Sequence, residues 1–299
     1  MEKKPIHIPV LQKEVLNFLN PKTNENFIDC TIGQGGHSLG ILEAIGPKGK
    51  LLGIDWDKDN INFLKLKIEH SEFKKRLILV NDSFANLKEI VQRENFRPIS
   101  GILFDLGISS WHLEESGRGF TFQKKEPLDM RYNFNNPLTA ERILNYCSFY
   151  EIKKILQDYG EEKFAENIAK KIIEKRKEKE IKNTFQLIEI IKEAVPRNYW
   201  QQKIHFATRT FQALRIAVNK ELENLKKALP QALEILEVGG RLVIISFHSL
   251  EDRIVKNFFK GKKEQIKILT KKPFLPSKEE IKKNPRSRSA KLRAIIKIN

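Results

Sequence analysis

The decisive stretch reads Phe27-Ile-Asp-Cys-Thr-Ile-Gly-Gln-Gly-Gly-His-Ser38, an apolar run that leads directly into a glycine-rich turn. A second apolar run, Leu51-Leu-Gly-Ile-Asp55, ends on an acid about 20 residues after the glycines, the spacing at which nucleotide-binding α/β folds place an acid to hold a ribose. Asp57 and Asp59 lie close by, but Asp55 directly follows the apolar run. The two runs therefore predict a site for an adenosine-containing cofactor.

Further apolar runs extend this pattern into a sheet. Five of them predict buried parallel strands, and helical patterns separate the first four. This alternation predicts an α/β fold with a doubly wound sheet. Two β-rich stretches near the C-terminus, 265–270 and 291–298, predict an antiparallel pair at the sheet edge. The predicted parallel strands cover 27–33, 50–55, 77–80, 99–105 and 241–247.

The gap between the fourth and fifth predicted strands is far longer than the crossover of about a dozen residues that a parallel sheet needs. Its last part shows one apolar stripe from Phe211 to Leu229, which predicts a long amphipathic helix that belongs to the sheet domain and is kinked or restarted at Pro230. We therefore expect a discontinuous sheet domain, 1–110 and 208–299. An inserted helical domain, 111–207, would recognise the substrate.

The glycine spacing narrows the cofactor class. Gly33, Gly35 and Gly36 follow the pattern G-x-G-G, which is neither the G-x-G-x-x-G of nicotinamide enzymes nor the lysine-containing loop that grips a triphosphate. A cofactor without a pyrophosphate, S-adenosylmethionine, fits this turn better. His37 follows the glycines, and by position alone it fits a helix cap or a packing residue as well as a ligand contact.

Composition indicates the partner. The 299 residues carry a net charge of +17, and residues 251–299 alone hold 16 basic and 5 acidic residues. Such a concentration predicts a surface for a polyanion, and nucleic acid fits best because no amphipathic membrane helix accompanies the charge. Cys30 and Cys147 are too few for a metal cluster or a disulfide framework, so no metal is expected. No run approaches the roughly 20 apolar residues that cross a bilayer, and we expect a cytoplasmic protein.

The fourth predicted strand ends in Phe104-Asp-Leu-Gly-Ile-Ser-Ser110. Ligands of open α/β sheets bind at the carboxyl ends of the strands, so Asp105 is expected beside the reactive end of the cofactor. Methylation at cytosine C5 requires a cysteine nucleophile, and neither cysteine follows this strand. A nitrogen or oxygen acceptor is therefore expected.

At this point the chain resembles a known family, the bacterial 16S rRNA (cytosine-N4)-methyltransferases, RsmH/MraW. The resemblance runs from His7 to about Arg293, nearly the whole chain. It rests on eight motifs in order: His7-Ile-Pro-Val-Leu, Asp29-Cys-Thr-Ile-Gly-Gln-Gly-Gly-His-Ser, Asp105-Leu-Gly-Ile-Ser-Ser, Arg118-Gly-Phe-Thr-Phe, Pro127-Leu-Asp-Met-Arg131, Thr208-Arg-Thr-Phe-Gln-Ala-Leu-Arg-Ile-Ala-Val-Asn219, Ser246-Phe-His-Ser-Leu-Glu-Asp-Arg253 and Asn284-Pro-Arg-Ser-Arg-Ser-Ala-Lys-Leu-Arg293.

The resemblance implies a class I S-adenosylmethionine-dependent methyltransferase, with a Rossmann-like sheet and an inserted small helical domain. It implies cytidine 1402 of 16S rRNA, within the small (30S) ribosomal subunit, as the acceptor. A homodimer remains an open expectation. The family often has glutamine at the position of His112. The implied cofactor contacts are Gly35, Gly36, His37, Asp55, Phe84, Asp105 and His112.

The chemistry would be an in-line displacement by the exocyclic amine, which depends mainly on positioning. Asp105 is the natural acceptor for the amine protons. His248, after the fifth strand, is a second catalytic candidate, although a loop histidine that orders the backbone fits equally. Phe120, Phe122 and Trp111 are candidates to clamp an everted base. Phosphate contacts are expected from Arg286, Arg288, Lys291 and Arg293.

Two other functions stay open on the sequence alone. One is a nicotinamide-dependent oxidoreductase on a similar fold, which the glycine spacing disfavours. The other is a non-catalytic ribosome-assembly protein that binds RNA and retains an inactive cofactor pocket. The intact glycine turn and Asp55 disfavour it without excluding it.

Overall fold

The computed structural model describes residues 9–299, so His7 and Ile8 of the first motif lie outside the described residues. The chain divides into two compact units. The α/β unit contains the residues up to Gly107 together with Leu222–Asn299, and the helical unit contains Ile108–Glu221.

The α/β unit is built on a sheet of seven strands within the described residues. In chain order the strands are β1 Phe27–Asp29, β2 Leu51–Asp55, β3 Leu77–Asn81, β4 Gly101–Asp105, β5 Arg241–Ser246, β6 Ile266–Ile268 and β7 Lys291–Lys297. Across the sheet they lie in the order β3-β2-β1-β4-β5-β7-β6. Strands β1 to β5 are parallel, and β7 is antiparallel to both β5 and β6. The predicted doubly wound sheet with an antiparallel pair at its edge is confirmed.

Helices connect these strands and form the second unit. In chain order the helices of the described residues are α1 Gln12–Leu19, α2 Gly36–Ala44, α3 Lys58–Ile68, α4 Leu87–Arg93, α5 Ser110–Glu114, α6 Ala140–Tyr146, α7 Phe149–Gly160, α8 Ala165–Glu178, α9 Thr184–Ala194, α10 Arg197–Trp200, α11 Thr208–Asn219, α12 Glu221–Ile235, α13 Ser249–Gly261 and α14 Lys278–Lys283. Short 3₁₀ turns cover Glu72–Lys75, Phe84–Asn86 and Pro285–Ser289.

Both faces of the sheet are covered, which explains why the parallel strands read as continuous apolar runs. Along β4, Ile102 and Phe104 belong to one apolar core, and Leu103 belongs to the other. The first core contains side chains of α4, α12 and α13, and the second contains side chains of α1, α2 and α3. The carboxyl ends of β1, β2 and β4 are thereby held in fixed register.

The predicted single helix across 211–229 is wrong. Lys220 adopts a left-handed conformation with a φ of +51°, which ends α11 before α12 begins. Phe211 and Leu214 of α11 pack in the core of the helical unit, whereas Leu225 of α12 packs in the sheet core. Pro230 lies inside α12 and does not divide it. The compact units accordingly divide after Glu221, not at the expected boundary between 207 and 208.

None of the helices in residues 9–299 has both the length and the apolar character that a membrane crossing requires.

Candidate functional site

The turn between β1 and α2 needs glycine for two separate reasons. Gly35 is the N-cap of α2 with a φ of +84°, and a Cβ there would lie 2.8 Å from Cδ1 of Leu64. A Cβ on Gly36 would lie 2.7 Å from Cγ of Pro9. The turn is therefore fixed by left-handed backbone at one position and by close packing at the next.

Asp55 ties this turn to the end of β2. Its Oδ2 accepts hydrogen bonds from the backbone N of Gly33 at 2.8 Å and from Nδ2 of Asn60 at 3.2 Å. Its Oδ1 accepts from the backbone N of Asp57 at 2.8 Å. The buried side chain of Asp57 caps α3 by accepting from the backbone N of Asp59. Asp55 is thus the acid that faces the glycine turn, as the sequence indicates.

Asp29 holds the end of β1 in place. It is 2% exposed, and its carboxylate accepts from Oγ of Ser38 at 2.7 Å and from the backbone N of Thr31 at 3.1 Å. Burial is the largest effect on this carboxyl and raises its pKa above the usual value. Oγ1 of Thr31 accepts in turn from the backbone N of Asp105 at 2.7 Å. The ends of β1 and β4 are therefore connected through side chains.

Asp105 and His37 face each other at these strand ends. Nε2 of His37 lies 3.5 Å from Oδ2 of Asp105. Both ring nitrogens of His37 and Oδ1 of Asp105 are buried, and all three atoms lack a hydrogen-bond partner among the described residues. Oδ1 of Asn60 is also buried and lacks a hydrogen-bond partner among these residues. Buried polar atoms are nearly always paired in native proteins, so this group of atoms indicates a ligand.

Phe84 lies in the 3₁₀ turn that follows β3. Its ring meets Phe104 edge-on, with centroids 5.6 Å apart and an interplanar angle of 82°. The ring is only partly buried, and it packs on the sheet core. This position leaves part of an aromatic surface near the strand ends.

The structure gives His248 a local role. It is the N-cap of α13, and its Nδ1 accepts from the backbone N of Glu251 at 3.4 Å. Oε2 of the buried Glu251 accepts in return from the backbone N atoms of Phe247 and His248. This capping box is the backbone-ordering alternative that the sequence left open. A catalytic role for His248 stays a prediction.

His112 lies in the helical unit and is 4% exposed. Its Nδ1 hydrogen-bonds to Oγ of Ser109 at 2.8 Å, and its ring centroid lies 5.0 Å from those of Phe120 and of Tyr132. These contacts hold the imidazole in place within the helical unit. The implied cofactor contact of His112 stays a prediction.

Two of the residues expected to clamp a base pack against other aromatic rings. Phe120 is buried and stacks on Tyr132, with centroids 5.4 Å apart. Phe122 stacks on His205, with centroids 4.5 Å apart, and also packs on the core of the helical unit. Phe120 is too deeply buried to meet a base, and a base contact by the partly buried Phe122 stays a prediction.

One of the residues expected to hold phosphate is a structural residue. Arg293 is buried in β7, and its Nε and Nη2 donate to the carboxylate of Asp252 at 2.6 and 3.2 Å. The expectation of a phosphate contact from Arg293 is wrong, because its guanidinium is used inside the α/β unit. Arg286 and Arg288 are exposed, and Lys291 is half-buried.

Comparisons with known proteins agree with one family over the whole length. A family model described as the MraW methylase family matches residues 4–298. The chain is 47% identical over 293 residues to the ribosomal RNA small subunit methyltransferase H of Dictyoglomus thermophilum, covering 98% of this chain and 97% of the relative. The chain belongs to the MraW methylase family. This methylase is also 45% identical over 291 residues to the protein of the same name from Thermotoga neapolitana, covering 96% and 95% of the two chains.

A solved structure supports the fold of the methylase. It is the crystal structure of a proposed rRNA-methylase from Clostridium thermocellum, with a TM-score of 0.50 and 12% identity. The alignment covers 98% of this chain and 99% of the other. At that identity the likeness shows a shared methyltransferase fold only. Family membership confirms the resemblance and favours methyl transfer over the nicotinamide alternative.

Proposed function

We propose that the chain transfers a methyl group from S-adenosylmethionine to the exocyclic N4 of cytidine 1402 in the 16S rRNA of the small ribosomal subunit. The observation that carries the proposal is the group of buried, unpartnered polar atoms on His37 and Asp105 within the described α/β unit. The name of the relatives, ribosomal RNA small subunit methyltransferase H, supports the choice of RNA as substrate.

The residues present fit the cofactor. The carboxylate of Asp55 would accept the ribose hydroxyls, and the ring of Phe84 would lie against the adenine. His37 offers a donor and an acceptor for the amino-acid end. When bound, the cofactor supplies an electrophilic methyl group on a positively charged sulfur.

Asp105 is the residue that we assign to the acceptor amine. The lone pair of that amine is delocalised into the cytosine ring, so a hydrogen-bond acceptor on its protons increases its nucleophilicity. Oδ1 of Asp105 is a buried acceptor without a partner in residues 9–299, which suits this task. As the N–C bond forms and the C–S bond breaks, the amine becomes positively charged and acidic, so one of its two protons would leave to water and no strong base is needed. The main contribution of the chain is then orientation.

The cysteines argue against the alternative acceptor at C5. Burial raises the pKa of the Cys30 thiol well above its usual value, and it also raises the pKa of Cys147. A thiol held in its neutral form is a poor nucleophile. A nitrogen acceptor agrees with this chemistry, because transfer to nitrogen involves no enzyme thiolate.

A basic surface on the α/β unit supports RNA binding. Between β6 and β7 the chain exposes seven basic side chains and one acidic side chain, Glu279. These basic side chains lie at the surface, where RNA phosphates can reach them, and binding should then weaken steeply with salt. A cytoplasmic location and a homodimer stay predictions. The basic residues are Lys271, Lys272, Lys278, Lys282, Lys283, Arg286 and Arg288.

The test is mass spectrometry of 16S rRNA from small subunits that lack the modification, after incubation with enzyme and donor. We expect one methyl group on N4 of cytidine 1402 with the wild type and a loss of transfer with Asp105→Asn. Binding of S-adenosylhomocysteine is measured in parallel by thermal unfolding, where a ligand at 100 times its Kd adds about 2.7 kcal/mol. A methyl group on another atom would refute the site assignment. No transfer despite bound cofactor would favour the non-catalytic RNA-binding protein.

A further inference from the structure

One aromatic ring of the helical unit is open to solvent and held by arginines. Phe134 is 55% exposed. The guanidinium carbon of Arg118 lies 4.3 Å from the centroid of its ring, and that of Arg131 lies 5.4 Å from it. The side chain is therefore open to a ligand, and two guanidinium groups contact its ring.

The first arginine is fixed by its own hydrogen bonds. Arg118 is 5% exposed, and its Nη1 donates to the backbone carbonyls of Arg131 at 3.2 Å and of Tyr132 at 3.4 Å. Its guanidinium carbon also lies 5.0 Å from the ring centroid of Trp111. Arg118 therefore needs no contact with Phe134 to be held in place.

The second arginine fixes the backbone that carries the ring. Nε and Nη2 of Arg131 donate to the two oxygens of Asp129 at 2.8 and 2.7 Å, and this pairing raises the pKa of the arginine. Nη1 of Arg131 donates to the backbone carbonyls of Phe134 at 3.0 Å and of Asn136 at 2.9 Å. The exposed ring is thus presented from a rigid turn, so little conformational entropy is lost when a ligand covers it.

We infer that Phe134 is a stacking platform for an unpaired nucleobase of the RNA, an inference that rests on the proposed function. A base offers a flat π-surface of matching size, and aromatic stacking accepts any base. The neighbours in sequence, Asn133 and Asn135, are polar. An apolar protein partner or a membrane would require a larger contiguous apolar patch.

The test compares Phe134→Leu and Phe134→Trp with the wild type in binding to unmodified 16S rRNA over a series of salt concentrations. Tyr150→Leu is the matched control, because Tyr150 is a 78% exposed aromatic side chain of the same unit. Stacking on one base corresponds to about a five- to 150-fold change in Kd, and we expect such a loss for Phe134→Leu. Phe134→Trp and Tyr150→Leu should bind as the wild type does.

The salt dependence separates stacking from a phosphate contact. Loss of a phosphate contact lowers the slope of log K against log salt by about 0.7 for single strands, whereas loss of a stack leaves it unchanged. Unchanged affinity of Phe134→Leu, or a loss that appears only as a lower slope, would overturn the inference. Circular dichroism melting checks that each variant folds. If the wild type methylates the rRNA and Phe134→Leu binds it with full affinity, only the stacking platform is refuted. If the wild type neither binds nor methylates the rRNA, the proposed function is refuted as well.

Discussion

Gly35→Ala separates the two reasons for glycine at the start of α2. Gly35 and Gly239 share a φ of +84°, but only at Gly35 would a Cβ meet another side chain, Cδ1 of Leu64 at 2.8 Å. Gly239→Ala is therefore a matched control, since a Cβ there has no atom within 4 Å among the described residues. The two substitutions impose the same backbone strain and differ in packing.

The magnitudes follow from these two contributions. A left-handed non-glycine residue costs about 1–2 kcal/mol, which is the expected loss for Gly239→Ala. Overpacking a core adds about 1–3 kcal/mol, so Gly35→Ala should lose about 2–5 kcal/mol of unfolding free energy. The clash is with the end of one leucine side chain, so Leu64→Ala should remove it. The double variant Gly35→Ala, Leu64→Ala should then be more stable than the sum of the single losses by about 1–3 kcal/mol.

Urea unfolding followed by circular dichroism measures the four variants, with the m-value as the check that the unfolding transition is unchanged. Thermal unfolding with S-adenosylhomocysteine adds a functional readout, and Gly35→Ala should lose most of the stabilisation that Gly239→Ala retains. Additivity of Gly35→Ala and Leu64→Ala within about 0.5 kcal/mol would show that the contact with Leu64 does not limit this position.

Two further predictions concern charged groups. Arg293→Met should lower the unfolding free energy by about 3–5 kcal/mol, because it leaves the largely buried Asp252 without its guanidinium partner. The exposed Arg288→Met should leave stability unchanged, and it should weaken RNA binding and lower its salt slope. Equal stability of the two variants would contradict this. Folding raises the pKa of Asp29 above its usual 3.8, so the folded state holds the carboxyl proton more tightly than the unfolded state does. The stability of the wild type should therefore fall as the pH rises from near 3.8 through the pKa of Asp29 in the folded state. Urea unfolding across this range should show a flatter profile for Asp29→Asn, while the exposed Asp59→Asn keeps the wild-type slope.

The sheet was predictable because its strands are buried on both faces. Each parallel strand therefore reads as a continuous apolar run, and the order of strands and helices leaves few topologies. The bounds were less predictable. The first run was expected to span 27–33, but β1 ends at Asp29 because the residues after it form the turn that Asp29 and Asp55 organise.

The division of the long helical stripe could not be read from the sequence. Phe211, Leu214, Val218, Leu222, Leu225 and Leu229 keep helical spacing across the break. The break is a left-handed lysine, Lys220, whereas glycine or asparagine is the residue that signals such an end. A stripe of apolar residues shows that a face is buried, but it does not show in which core, and here its two halves belong to different cores.

Some of the site residues could also be predicted from the sequence, and others could not. The ends of β2 and β4 gave Asp55 and Asp105 by topology alone. The roles of His248 and Arg293 depend on hydrogen-bond partners in the first turn of α13. His248 pairs with Glu251, and Arg293 of β7 pairs with Asp252. Phe134 was missed because a single aromatic residue in a loop carries no sequence signal. Only its exposure and the two arginines beneath it distinguish it from a core residue.

The polar groups at the strand ends fall into two classes, and the difference carries the functional argument. Asp29 and Thr31 have their hydrogen bonds inside the described residues, and they fix the ends of β1 and β4. Oδ1 of Asp105 and the nitrogens of His37 are equally buried but have none within that part of the chain. Among residues 9–299, Trp200, Thr210 and His248 each leave one buried atom unpaired as well, whereas His37 and Asp105 bring three such atoms together at the strand ends, and this grouping is what indicates a ligand. The unpaired atoms therefore mark the ligand site, and the paired groups explain how the strand ends around that site are held in place.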